Sequence, residues 1–233
     1  MKIIEQKVSI VAPRSLERGI EELQLIEIAG RNCWRSEGKM TDDSYRSFLA
    51  NLRKRGHESP IEFAHVMYDI TTSRDVMAEL TRHRIASFCI ESQRYVNESK
   101  GDGGIKFIRP LFYKEFDPYY DFASQRDIDY EASRKWDDEM ELAEDAYNRM
   151  IGMGIKNQDA RKVLPNSTAC RIMMKVNLRE LLHIYRLRSS PAAYPEMRRL
   201  MELLKEATDK IFPGFLPEKE DKITTEECED NRE

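Results

Sequence analysis

Residues 61–84 read IEFAHVMYDITTSRDVMAELTRHR. The stretch 61–72 is rich in β-branched and aromatic side chains and predicts a strand. Ser73 can cap a helix over 74–84, with Val76, Met77 and Leu80 on its apolar face and Arg82, His83 and Arg84 at its end. Working outward, residues 3–11 (IIEQKVSIV) predict a strand, and residues 15–29 predict a helix with Ile20, Leu23, Leu25 and Ile26 at helical spacing. Thr41 can cap a second helix, striped by Tyr45, Phe48, Leu49 and Leu52 and ending near Gly56. Short strands are expected over 93–98 and 105–109, around the turn at Gly101, Gly103 and Gly104. A long helix is expected within 113–153, with Trp136, Met140, Ala143, Tyr147 and Met150 on one face and Gly152 and Gly154 as its stop. Residues 168–176 (TACRIMMKV) predict a strand, and 178–187 and 195–211 predict helices, the second ended by Pro213. Helices outnumber strands without regular alternation, so the class is α+β, a helix-rich arrangement with one central antiparallel or mixed sheet flanked by helices.

The bulk numbers bound the function. The 233 residues are enough to bury a sizeable core. Net charge is -4 and the pI is near 5.8, whereas a protein gripping a nucleic-acid backbone needs a basic excess. That balance argues against an RNA-binding module and allows a small phosphorylated ligand. Cys33, Cys89, Cys170 and Cys228 are scattered with no C-x-x-C pair, and the start, MKIIEQKVSIVAP, lacks the apolar stretch of a signal peptide. No apolar run approaches the roughly 18 residues needed to cross a membrane. The expectation is a cytoplasmic protein with free thiols. Residues 1–215 are expected to form a single domain, and the acidic tail, 216–233, is expected to be disordered.

Three clusters carry candidate chemistry. On helix 74–84, His83 and Arg84 fall seven residues after Val76 and Met77, so both should lie on or beside the buried stripe. A structural ion pair with Glu79 or Asp75 could satisfy one arginine, yet the donors outnumber these acids. Ser87, Ser92 and Arg94 follow closely and could complete an anion pocket. Because a helix C-terminus repels anions, side chains would have to do the binding. The second cluster holds Arg161, Arg171, Asn177, Arg179, His183, Arg186 and Arg188. On a helix, Asn177 and Arg188 share a face with Leu181 and Ile184, and Arg179, His183 and Arg186 lie opposite. Either the helix is solvated, or both faces meet ligand at a junction between subunits. The third is Gly56-His57-Glu58-Ser59-Pro60, at a helix-to-strand turn. No metal-ligand spacing and no G-x-G-x-x-G or G-x-x-x-x-G-K loop occurs, so a bound FAD would not sit on a Rossmann unit.

Arg82-His83-Arg84, seven residues, then Ser92, continued by Gln93-Arg94-Tyr95, is the R-H-R-x₇-S signature of the flavin-dependent thymidylate synthases (the ThyX family). The blocks GRNCWRSEGK near 30–39, RGHESPIEF at 55–63, ARKVLP at 160–165 and VNLRELLHIYRLR at 176–188 resemble that family in order and spacing. The resemblance covers roughly residues 15–212. It implies a helix-rich α/β homotetramer with active sites at subunit junctions. Its activity would be methylation of dUMP to dTMP, with methylenetetrahydrofolate as carbon donor and FAD, reduced by NADPH, as hydride carrier. The FAD positions match His57, Ser59, Arg82, His83, Arg84, Asn177, Arg179 and His183. The dUMP positions match Glu79, Arg82, Ser92, Gln93, Arg94, Arg161 and Arg188. Arg188 matches the arginine that meets the uracil ring and favours its ionised form, and is the expected catalytic residue. No metal is implied, and no cysteine matches a nucleophile motif.

The chain departs from the family pattern at Glu79, where many members carry Gln, at Cys89-Ile90, where many carry Asn-Glu, and around Tyr194. The competing reading is a nucleotide- or phosphate-binding enzyme without flavin.

Overall fold

The computed structural model describes residues 1–100, 104–111 and 122–218. In chain order the elements are β1 (Lys2–Ile4), β2 (Lys7–Ala12), α1 (Leu16–Asn32), α2 (Ser44–Lys54), β3 (His65–Ser73), α3 (Arg74–Leu80), β4 (Ala86–Ile90), β5 (Lys106–Ile108), α4 (Phe122–Gly152), α5 (Asn157–Ala160), β6 (Ala169–Asn177), α6 (Leu178–Arg188) and α7 (Pro195–Asp209). Strands β2, β3, β6 and β4 form an antiparallel sheet in that order, and β1 pairs with β5 in parallel.

The centre of the sheet is the long β3–β6 ladder. Period-two patterning sends Val66, Tyr68, Ile70 and Thr72 of β3 to the buried face, directly opposite Val176, Met174, Ile172 and Cys170 of β6. Leu23 and Ile26 of α1, Leu181 and Ile184 of α6, and Leu200 and Leu204 of α7 pack into this same core. Inside it, the Tyr68 hydroxyl lies 2.7 Å from Thr208 Oγ1 and joins the sheet to α7. Helix α1 comes so close to the chain after α7 that a Cβ on Gly19 would lie 2.3 Å from the Ile211 carbonyl oxygen. The other face of the ladder is polar, where Arg171 forms an ion pair with Asp69 across the strands. A smaller core of Ile105, Phe107, Met140, Tyr147 and Ala160 holds β5 to α4, using the face that periodicity marks on that helix.

Several expected elements are revised. The strand expected over 3–11 breaks at Glu5 and Gln6 and serves two sheets. Gln6 is buried there, donating to the Glu196 carbonyl at 3.2 Å, so its side chain anchors α7 instead of continuing a ladder. The strand expected from 61 begins at His65, because Ser59–Phe63 forms a 3₁₀ turn with Pro60 at its start. Asp43, not Thr41, occupies the N-cap position of α2. Helix α3 stops at Leu80 rather than 84, where the Thr81 hydroxyl donates to the Met77 carbonyl at 3.0 Å. Ser73 has no capping hydrogen bond, since its hydroxyl donates to Glu196 instead.

Residues 93–98 are not a strand. The amides of Tyr95 and Val96 turn back onto the Ser92 carbonyl. The fourth strand of the sheet is β4, whose alternating exposure and pairing with β6 were hidden among the hydroxyls of IASFCIESQRY. Helix α7 ends at Asp209, before the expected 211. The beginning of the helix expected from 113 and most of the acidic tail (219–233) lie outside the described residues.

Candidate active site

Strand β4 separates the candidate residues into two groups. It runs antiparallel to β6, with Ala86 opposite Val176 and Ile90 opposite Ile172. Arg82, His83 and Arg84 precede it and lie toward the Asn177 end of β6. Ser92, Gln93 and Arg94 follow it, toward the Arg171 end, where the Glu91 amide donates to the Arg171 carbonyl at 2.9 Å. Five strand residues span about 16 Å, so the groups sit at opposite ends of the sheet.

At the first end, the turn after α3 packs against α6. The Arg188 guanidinium donates from Nε to His83 Nε2 at 3.1 Å, from Nη1 to Glu79 Oε2 at 2.9 Å and from Nη2 to the Glu79 carbonyl at 3.1 Å. All three nitrogens are therefore fixed, and two of its five N–H groups are left for an outside acceptor. His83 is buried, and its Nδ1 lies 3.4 Å from Glu180 Oε1. Because Nε2 accepts from Arg188, the ring proton sits on Nδ1, facing Glu180. Burial, and next the Arg188 charge, hold the His83 pKa below its usual value, while the Glu180 charge opposes them. The ring is therefore neutral near pH 7, and the His183 ring lies edge-on at 5.8 Å.

Next to this cluster is a cavity of about 420 Å³, lined by Asn177, Arg179, His183 and Arg186 with Glu58 and Glu62. Asn177 caps α6, its side-chain oxygen accepting from the Glu180 amide at 2.8 Å. Arg179 pairs with Glu62 and more loosely with Glu58, and Arg186 reaches Glu58 at 3.5 Å. Ser59 starts the 3₁₀ turn carrying Glu62, and exposed His57 stacks on Trp34 with ring centroids 6.3 Å apart. The two faces of α6 thus divide as its periodicity predicts. The Arg179 side is solvated and laced with acids, and Arg188 turns inward.

The R-H-R triplet behaves differently from the sequence expectation. Only His83 is buried; Arg82 and Arg84 are both exposed, because the helix ends before them. Their guanidinium groups make no hydrogen bond or ion pair with a described residue. Glu79, expected as a partner for the triplet, holds Arg188 instead, and Asp75 accepts from Tyr194 at 3.2 Å.

At the other end, Ser92 Oγ accepts from the Arg94 amide at 3.3 Å, and Gln93 is buried. Asn157 of α5 donates to the Tyr95 carbonyl at 3.4 Å, which ties the loop to the start of α5; Arg161 is an exposed residue just past the end of that helix. A larger cavity, about 1050 Å³, opens here, with Lys2, Lys7, Tyr95, Lys100 and Lys106 among its lining.

Two features had no signal in the spacing. His83, Glu180 and His183 offer ligand atoms within 4.8 Å of one another. The sequence suggested no metal, and the Arg188 cation 3.1 Å from His83 opposes a second cation at that ring. The second is a buried acid network. Tyr194 Oη lies 2.8 Å from Glu196 Oε1, and Ser73 donates to Oε2 at 3.2 Å. Burial pushes the Glu196 carboxyl up to about 7, Asp75 adds to the rise, and the Tyr194 and Ser73 hydrogen bonds oppose it.

An antiparallel sheet backed by helices, with guanidinium and imidazole groups gathered at its edge, defines an α+β protein. The family described as "Thymidylate synthase complementing protein" matches residues 16–214. A flavin-dependent thymidylate synthase of Geobacter sulfurreducens is 31% identical over 82% of this chain and 82% of its own. One from Halobacterium salinarum is 33% identical over 76% of each. Among solved structures, the UMP/dUMP methylase PolB of Streptomyces cacaoi, bound with 5-Br dUMP, superposes with a TM-score of 0.70 at 23% identity. It covers 92% of this chain and 95% of that one, a likeness of fold. The chain belongs to the flavin-dependent thymidylate synthase family and is a methyl-transferring enzyme. Among the described residues, no helix is long and apolar enough to cross a membrane.

Proposed function

We propose that this enzyme methylates dUMP to dTMP, taking the carbon from methylenetetrahydrofolate, within one domain spanning residues 1–215. FAD, reduced by NADPH, supplies the hydride that turns the transferred unit into a methyl group. The observation that carries the reading is Arg188, held at all three nitrogens by Glu79 and His83. A guanidinium fixed in this way can meet a uracil carbonyl and stabilise the negative charge of the ionised ring, which makes carbon 5 the nucleophile, without reorganising during the step.

The residues present suit FAD. Arg82 and Arg84 offer unengaged cations to its diphosphate, while Arg179 is already tied to Glu58 and Glu62. Asn177 and His183 line the adjoining cavity, and His57 and Ser59 lie on the neighbouring turn. Near pH 7 neutral His83 places no positive charge beside Arg188, so the guanidinium is the local cation. For dUMP, Glu79, Arg82 and Arg188 stand at one end of β4, and Ser92, Gln93, Arg94 and Arg161 at the other. Groups so far apart in one chain combine when two copies each supply one end. This separation supports active sites shared between copies, and the family resemblance makes the assembly a homotetramer.

The test is single-turnover dTMP formation from dUMP with and without added FAD. Arg188→Ala should keep the yellow flavin and lose methylation. A colourless chain that ignores saturating FAD would favour a nucleotide-binding enzyme without flavin.

A further inference from the structure

We propose that Glu180 is a positioning residue that, acting through His83, fixes the plane of the Arg188 guanidinium. The inference rests on the reading that Arg188 acts on the uracil ring. Glu180 and His83 are both buried, and the His83 Nδ1 lies 3.4 Å from Glu180 Oε1. The other ring nitrogen, Nε2, accepts from Arg188 Nε at 3.1 Å. An imidazole thus stands between a carboxylate and a guanidinium. Glu180 is the third residue of α6 after its cap, Asn177, where an acid ordinarily turns back to the amide of the capping residue. Here the carboxylate is turned to His83, its one ion-pair partner among the described residues.

A neutral imidazole carries one ring proton, and the nitrogen that faces an acceptor keeps it. With Glu180 as that acceptor, the proton stays on Nδ1 and Nε2 keeps a lone pair for Arg188. Without it the two tautomers compete. A proton on Nε2 would set one donor against another, the Arg188 Nε–H at 3.1 Å, and the fork would be held by Glu79 alone. A guanidinium displaced by about 1 Å from its working position costs about 10²-fold in rate. A second ring proton has the same effect. Burial, then the Arg188 charge, oppose that proton, as does His183, and the Glu180 charge favours it. Glu79 of α3 meets Arg188 rather than the ring.

The experiment is nitrogen-15 NMR of the FAD-loaded enzyme labelled at its four histidines, alongside single-turnover dTMP formation, for wild type, Glu180→Gln and Glu180→Met. Near pH 7, wild-type His83 should be the Nδ1–H form. Glu180→Gln keeps an acceptor, so the tautomer and most of the turnover should remain, while the lost charge moves the His83 titration midpoint to lower pH. Glu180→Met has no acceptor, so the tautomers should mix and turnover should fall by about 10²-fold, with a smaller change in dUMP affinity. An Nε2–H ring in wild type, or a Glu180→Met variant within about threefold of wild-type turnover, would overturn the proposal. If Glu180→Met does not fold, the wild-type tautomer and Glu180→Gln decide, and an unmoved midpoint refutes the role. A wild type that makes no dTMP yet holds the Nδ1–H form would instead reject the reading of Arg188.

Discussion

Arg188→Lys keeps a positive charge and removes the fork. In the wild type, the three nitrogens reach His83 Nε2 at 3.1 Å, Glu79 Oε2 at 2.9 Å and the Glu79 carbonyl at 3.1 Å. A lysine ammonium is a single point donor and cannot reproduce that spread. If it keeps the Glu79 carboxylate, it gives up His83 and can no longer present two parallel N–H groups to a ligand. The Glu79 side chain is partly exposed, so the pair contributes only about 0–1 kcal/mol to folding, and the variant should fold. Turnover should fall much further. Losing one fixed donor at a site of developing negative charge costs about 10²–10³ in kcat, or roughly 3–4 kcal/mol. The assay is single-turnover dTMP formation at saturating dUMP, with flavin absorbance as the control for an intact site. A lysine variant within threefold of wild type would show that charge alone suffices and that the fixed fork is irrelevant.

Three further outcomes are expected. The Glu196 carboxyl is pushed up to about 7 in the fold against an ordinary value of 4.5, so the folded state binds its proton more tightly than the unfolded state does. Stability contributed by that proton is fully present below about pH 4.5 and is lost as pH rises to about 7, a change of about 3 kcal/mol. Glu196→Gln should flatten this part of a urea-unfolding series across pH, and an unchanged slope would remove Glu196 as its source. Tyr68→Phe removes the hydroxyl paired with Thr208 and should cost about 1 kcal/mol by urea titration, with no change in flavin binding. Gly19→Ala sets a methyl 2.3 Å from the Ile211 carbonyl and should cost about 1–3 kcal/mol, so a thermal midpoint equal to wild type would contradict this close approach.

Much of this architecture is legible in local chemistry. The central strands are written in β-branched and aromatic residues, and α1, α2 and α7 in apolar stripes, because each buries a single face. Where one residue serves a distant partner, local pattern misleads. Gln6 and Ser73 both turn to Glu196, which breaks one predicted strand and removes one predicted cap. Thr81 ends α3 by bonding back to Met77, and so exposes Arg82 and Arg84 where helical spacing put Arg84 on or beside the buried stripe. β4 is not legible locally because its apolar alternation lies among hydroxyl residues that also suit a loop. At the site, residue types and the gap from the R-H-R triplet to Ser92 single out the candidates. The partnership of Arg188 with Glu79 and His83 spans more than 100 residues and exists only in the fold. The division of the participants by β4 likewise needs the strand register.

In the proposed enzyme, the two ends of β4 form one active site by coming from different copies. Arg188→Ala disables the first end and Arg94→Ala the second, and each variant alone should make almost no dTMP. Unfolding them together and refolding the mixture should restore about a quarter of wild-type turnover, the yield of random two-fold pairing. A mixture as inactive as its components, with oligomers confirmed to exchange, would contradict the shared site.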